Sequence, residues 1–168
     1  AVGVAADGVG GAFVAFEVAI DPARPDDTDL AVQRLTAAGD VAWGTPVADG
    51  SPVPPFAANS PYPERKPSIF PDGQGGIVVA FEAGSAEGDT DVHAQRLDGE
   101  GRLRWNEGER SSPVAFTFLT ERSPAIVTRG PDRVLVLCEI ENEDGRSVVA
   151  AQALALETGL ALYGGRKP

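Results

Sequence analysis

Apolar residues run unbroken through Ile77-Val78-Val79-Ala80-Phe81, and Val92-His93-Ala94-Gln95-Arg96-Leu97 is a second short run rich in β-forming positions. Short apolar runs bounded by glycine turns select strands covered on both faces. Asp72-Gly73-Gln74-Gly75-Gly76 separates the first run from the leading Ser68-Ile69-Phe70, and its glycines supply the positive φ of a tight hairpin. A further turn, Asp98-Gly99-Glu100-Gly101, precedes Leu103-Arg104-Trp105. Pro67 to Trp105 is therefore expected to fold as four short antiparallel strands, a sheet of roughly 40 residues and the size of a propeller blade.

The same pattern recurs on both sides. Asp7 to Glu17 matches Asp72 to Glu82 position for position, Ala31-Val32-Gln33-Arg34-Leu35 matches His93 to Leu97, and Trp43 matches Trp105. Glu17 and Glu82 are 65 residues apart, whereas Gln33 and Gln95 are 62 apart, which places the length difference in the loop from Val18 to Asp29. A weaker third copy follows 57 residues on: Pro124-Ala125-Ile126, Val134 to Glu139 and Ala151-Gln152-Ala153-Leu154, with Tyr163 near the Trp position. The expected organisation is one repeat array: blade 1 over about 1–44, a connection over 45–66, blade 2 over 67–105, a connection over 106–123 and blade 3 over 124–165. Prolines such as Pro46, Pro54, Pro55, Pro61 and Pro63 make the first connection an extended surface crossing, and Leu103 to Trp105 closes its unit as the fourth strand.

The fold class is thus all-β, a β-propeller with three four-stranded blades per chain. Propellers generally have four to eight blades, so three leave two apolar end faces open. Two chains joined head to tail into a six-bladed homodimeric ring cover both; the rival is that the chain is half of a longer one. Arg166-Lys167-Pro168 repeats Arg65-Lys66-Pro67, so the sequence stops where a further blade would open, and Val2 to Asp7 supplies such an opening.

Composition narrows the function classes. The 168 residues are 42% hydrophobic with 20 Gly and 14 Pro, which suits a turn-rich globular chain rather than a disordered one. A net charge of -11 argues against nucleic acid and anionic membrane surfaces as partners. No apolar run reaches the roughly 20 residues of a membrane helix. The absence of Met fits a processed secreted product, a segment of a longer protein or an excised piece. The single Cys138 lies in an apolar run and reads as a buried small hydrophobe rather than a nucleophile.

At Asp72-Gly73-Gln74-Gly75-Gly76, Val79-Ala80-Phe81-Glu82, Asp91 to Leu97 and Trp105, the chain resembles the tandem repeats of secreted bacterial β-propellers, with their pattern near DGxGGxxVAW, DxYAQRLD, then G and W. Copies one and two match well and copy three poorly, and Phe16 and Phe81 stand where that family has Trp. The resemblance implies a secreted or cell-envelope location; it implies no settled activity and no catalytic residue.

Glu17, Glu82 and Glu139 recur at the end of the second strand, and Trp43 and Trp105 recur after the third. These five are the candidate ligand-binding positions. Recurrence favours a structural role, since a propeller active site uses different residues from different blades. Gln33, Gln95 and Gln152 sit in mid-strand and are expected to clamp one blade to the next through their amides. Asp27, Asp29, Asp89 and Asp91 lie in corresponding loops and are candidate calcium ligands, with Asx turns as the competing explanation. His93 is the only histidine and Cys138 the only cysteine, which argues against a dedicated zinc site, and no nucleophile elbow accompanies His93. The leading functional expectation is a non-enzymatic binding or scaffolding module presenting loops to a glycan, peptide or protein. The alternatives are a two-carboxylate glycoside hydrolase or lyase at the central channel and a purely structural assembly domain.

Overall fold

The computed structural model describes residues 1–46, 52–85, 88–108, 111–114, 117, 119–128, 130–142 and 144–162. Strands β1 (Val2–Ala6), β2 (Ala12–Val18) and β3 (Asp29–Leu35) are followed by the small hairpin β4 (Thr45–Pro46) and β5 (Pro52–Val53), then β6 (Phe56–Ala58). Next come β7 (Glu64–Pro71), β8 (Ile77–Gly84), β9 (Thr90–Leu97) and β10 (Ser112–Pro113), then β11 (Thr120–Thr128), β12 (Arg133–Glu141) and β13 (Ser147–Ala155). They build two four-stranded sheets, ordered β1-β2-β3-β6 and β10-β9-β8-β7, and a three-stranded sheet β11-β12-β13, with β4 and β5 paired apart. The fold is all-β, and among the described residues no sheet closes on itself. The position expected to follow β13, near Tyr163, lies outside the described residues.

The hairpins are set by one side chain each. Asp72 Oδ1 accepts the Gln74 and Gly76 amides at 2.7 and 2.8 Å, and Asp7 Oδ1 accepts those of Val9 and Gly11 at 2.9 and 2.8 Å. Gly73 and Gly75 take φ of 75° and 89°, the left-handed region that glycine enters without strain. Gly76 is needed for a different reason: a Cβ there would collide with the Leu97 carbonyl oxygen across the ladder.

Alternation then sandwiches the second sheet. Ile77, Val79, Phe81 and Leu97 share a core with Phe13, Ala15, Leu30, Val32 and Trp43 of the first repeat. Val78, Ala80, Val92 and Ala94 share another with Ile126, Val134, Val136, Cys138 and Leu154 of the third. A strand whose two faces meet different sheets must be apolar at every position, which is why Ile77 to Phe81 shows no alternation.

The fourth strand lies elsewhere than at Leu103 to Trp105. That segment makes a single bridge, Leu97 to Leu103, matched by Leu35 to Val41 in the first repeat. The carboxamide of Gln95 accepts the Trp105 amide at 3.0 Å, and that of Gln33 both accepts the Trp43 amide at 3.0 Å and donates to its carbonyl at 2.8 Å. A side-chain amide thus replaces a peptide unit and ends the ladder. The chain leaves and returns as β6 or β10, pairing with the other half of the third strand. The connections at 45–66 and 106–123 accordingly carry β4 to β6, β10 and a 3-10 turn, Asn106–Gly108. The leading strands begin at Glu64 and Thr120 and cross a bulge at Lys66 and Ser123, whose φ values are 52° and 55°.

Candidate functional site

The recurrent side chains divide between links within a sheet and links between sheets. Gln33 and Gln95 bind the backbone of their own repeat, and Gln152 Nε2 donates to the Ala153 carbonyl at 2.9 Å, so these amide bonds lie within each sheet. The tryptophans reach across instead. Trp43 Nε1 donates to the Gly99 carbonyl of the second repeat at 2.9 Å, and Trp105 Nε1 to the Leu156 carbonyl of the third at 2.8 Å. Each ring packs on a glycine turn, at Gly101 and Gly159. Both indoles are buried, 4% and 0% exposed, which leaves no aromatic platform there for a sugar.

The glutamates also reach across. Glu17 Oε1 accepts the Lys66 amide at 2.7 Å and Glu82 Oε1 the Ser123 amide at 2.9 Å, so each caps the bulge that opens the next leading strand. Glu139 holds the same register position, opposite Val149, but is exposed, and among the described residues its carboxylate has no hydrogen bond or ion pair. The link that the first two glutamates make has no receiver at the third.

The aspartates are scattered over separate partners. Asp27 Oδ2 pairs with Arg24 at 2.6 Å, while Asp89 Oδ1 takes the Thr120 hydroxyl at 2.7 Å and the Thr90 amide at 2.8 Å. Burial pushes the Asp29 carboxyl up, aided by the Asp27 charge, and burial with the Asp89 charge does the same at Asp91. Among the described residues no group of three or more His, Cys, Asp or Glu side chains converges as a metal shell needs. Cys138 is buried, and burial followed by the Glu121 charge pushes its thiol up to about 11, away from nucleophilic chemistry.

Sequence reading singled out neither Glu64 nor Ser111, and the structure places both on one cleft. The cleft, of about 710 Å³, lies between the first and second sheets, and Phe56, Tyr62, Leu103, Glu64, His93 and Ser111 are among its lining residues. Glu64 is 2% exposed, and among the described residues its Oε2 has no hydrogen-bond partner. Burial pushes its carboxyl up to about 7; hydrogen bonding to Ser60 opposes this, while the Asp29 and Asp27 charges add to it. His93 Nδ1 lies 2.8 Å from Ser111 Oγ, and burial holds the imidazole below its usual range. Among the described residues no carboxylate bonds the other ring nitrogen, so a Ser-His-Asp triad is not assembled. A sequence signal for Glu64 does exist, in the Glu-Arg-x-Pro shared by Glu64 to Pro67 and Glu121 to Pro124.

The raised carboxyl makes a pH prediction. A native pKa of about 7 against the ordinary glutamate value of 4.5 means the folded state binds more protons in that window, so this stabilisation is full below about 4.5 and lost as pH rises through 7. Glu64→Gln is expected to raise stability at pH 8 by roughly 1–3 kcal/mol and to change little at pH 4.5. Urea titrations at the two pH values check this, and an equal effect at both would refute it.

Comparison with protein-family models, curated proteins and solved structures finds no match to the chain.

Proposed function

We propose that the chain is a non-enzymatic scaffolding and binding module, a three-bladed half of a β-propeller that a second copy completes head to tail to six blades. The ring would present its loops to a glycan, peptide or protein partner, outside the cell or at its envelope.

The observation that carries this reading is the complementarity of the two unpaired ends. Val4 occupies the register position of Ile69 and Ile126, which pack in the two cores, yet it is 66% exposed. Val149 occupies that of the fully buried Val92, yet it is 75% exposed. The glycine turn of the first repeat is open in the same sense: nothing lies within 4 Å of a Cβ on Gly39, whereas Gly101 and Gly159 each carry a tryptophan. Glu139 at the other end lacks the backbone amide that Glu17 and Glu82 receive. One end thus offers the half of the internal interface that the other end lacks, which favours a heterologous contact that closes after two copies.

Two variants test the geometry. Val4→Asp and Val149→Asp each spoil one end and are expected to leave the chain monomeric. Mixed together they retain one intact contact between them and should form a heterodimer. If either variant alone still dimerises, the two ends do not meet each other and the head-to-tail scheme is wrong.

A further inference from the structure

The repeat supplies an internal control for the Glu64 cleft. Glu64 and Glu121 hold equivalent positions, opposite Ala83 and Ile140, each one residue before the Arg-x-Pro bulge. Glu121 is completely buried and both its oxygens are bonded: Oε2 accepts the Val92 amide at 3.1 Å and Oε1 the Thr117 hydroxyl at 2.9 Å. Glu64 keeps the hydroxyl neighbour, Ser60, but Leu30, which stands where Val92 does, is in register with Ala58 of β6 instead. Among the described residues its Oε2 is left without a donor, and a donor entering the cleft would relieve the cost of that burial.

The surroundings say what that donor is. Among the described residues no Lys or Arg lines the cleft, which argues against an anionic ligand. Asp27 and Asp29 are near enough for their charges to act on Glu64, Arg24 is paired to Asp27, Arg65 donates to the Asp26 carbonyl at 2.8 Å, and His93 and Tyr62 line the cleft. Three carboxyls outnumber the two guanidiniums, Arg24 and Arg65, and both of these are engaged, which favours a cation there. Phe56, Tyr62, Pro61 and Leu103 form apolar and aromatic walls that suit an alkyl stem and favour a cation near their rings.

We propose that this cleft binds an alkylammonium group, the chemistry of a lysine side chain, with the ammonium on Glu64 and the stem against Phe56, Tyr62 and Leu103. The site is contained within one chain and does not rest on ring closure. Ammonium binding requires the ionised carboxylate, so affinity rises with pH as the empty Glu64 loses its proton.

The test uses the full chain, isotope-labelled, with n-butylammonium, n-butanol and N-acetyl-lysine methylamide as probes followed by amide shifts. Butylammonium is expected to shift the amides of Ser60, Tyr62 and His93 and to bind about tenfold more tightly at pH 8 than at pH 6, the ratio of ionised Glu64 at the two values. Glu64→Gln, an isostere that keeps the fold, should abolish the shifts. Tighter binding of the lysine derivative assigns the group to a polypeptide partner, and tighter binding of butylammonium to a free amine; either supports the site. Equal binding of n-butanol, unchanged binding by Glu64→Gln, or an affinity independent of pH in the unaltered protein overturns it.

Discussion

Trp105→Ala is expected to destabilise the chain by about 3–5 kcal/mol, the cost of emptying a fully packed aromatic site. Trp105 is 0% exposed and belongs to the core shared by the second and third repeats. Its removal takes away the indole bond to the Leu156 carbonyl and leaves a void over Gly159, whose backbone fits against the ring so closely that a Cβ would overlap it. Domains of this kind are stable by only about 5–15 kcal/mol, so the variant is expected to unfold at markedly lower urea, followed by far-ultraviolet circular dichroism. Trp43→Ala is the matched comparison: that ring packs on Phe13 at 5.3 Å and bonds the Gly99 carbonyl, so a similar loss is expected. A loss below about 1 kcal/mol in either would mean the tryptophans do not join neighbouring sheets as described.

Asp72→Ala should be nearly as severe, about 3–5 kcal/mol, because it removes the buried carboxylate from a buried cation and leaves that cation, among the described residues, only the exposed Glu157 as a charged partner. The side chains of Asp72 and Arg96 are 0% and 5% exposed and meet at 2.8 Å. Asp72 also holds the Gln74 and Gly76 amides, so the substitution loosens the hairpin as well. Arg96 extends the link to the third repeat through the Leu156 carbonyl at 3.3 Å and Glu157 at 3.0 Å. The first-repeat counterpart, Arg34 with Asp7, is 23% exposed on the arginine side, so Asp7→Ala is expected to cost clearly less. The third repeat has neither member: Arg129 stands for the aspartate and Ala153 for the arginine. Their joint loss implies that the pair acts as a unit, and Asp72→Asn with Arg96→Ala should cost less than the two single changes summed. Additive losses in that cycle would contradict the coupling.

The architecture was legible where a physical constraint writes directly into residue type. Gly8, Gly10, Gly73 and Gly75 announce hairpins because their φ values are positive, and the unalternating Ile77 to Phe81 announces a strand with a sheet on either face. The place of the fourth strand was not legible. Leu103 to Trp105 has the composition of a strand, and only the Gln95 carboxamide, which replaces the ladder there, diverts it. Gln33, Gln95 and Gln152 were legible as satisfied mid-strand amides, but a side-chain amide bonds a peptide equally well in its own sheet or the next, and pattern does not distinguish the two.

The cleft was hidden for a related reason. Glu64 lies in a proline-rich stretch that reads as a surface crossing, and its burial arises from the loop Asn59 to Pro63 and the strand β6 folding over it. His93 was visible as the lone histidine, but its partner Ser111 is 18 residues away, at a spacing with no repeat logic. The glutamates at the ends of β2, β8 and β12 were visible through recurrence, and the structure gives the first two receivers, Lys66 and Ser123, in the following repeat.

The most direct measurement of the central claim, that the two open ends belong to one interface, is the mass of the unaltered chain by sedimentation equilibrium across micromolar concentrations. The account predicts a closed species of twice the 17.4 kDa chain mass, with no larger polymer. A monomer throughout that range would contradict it.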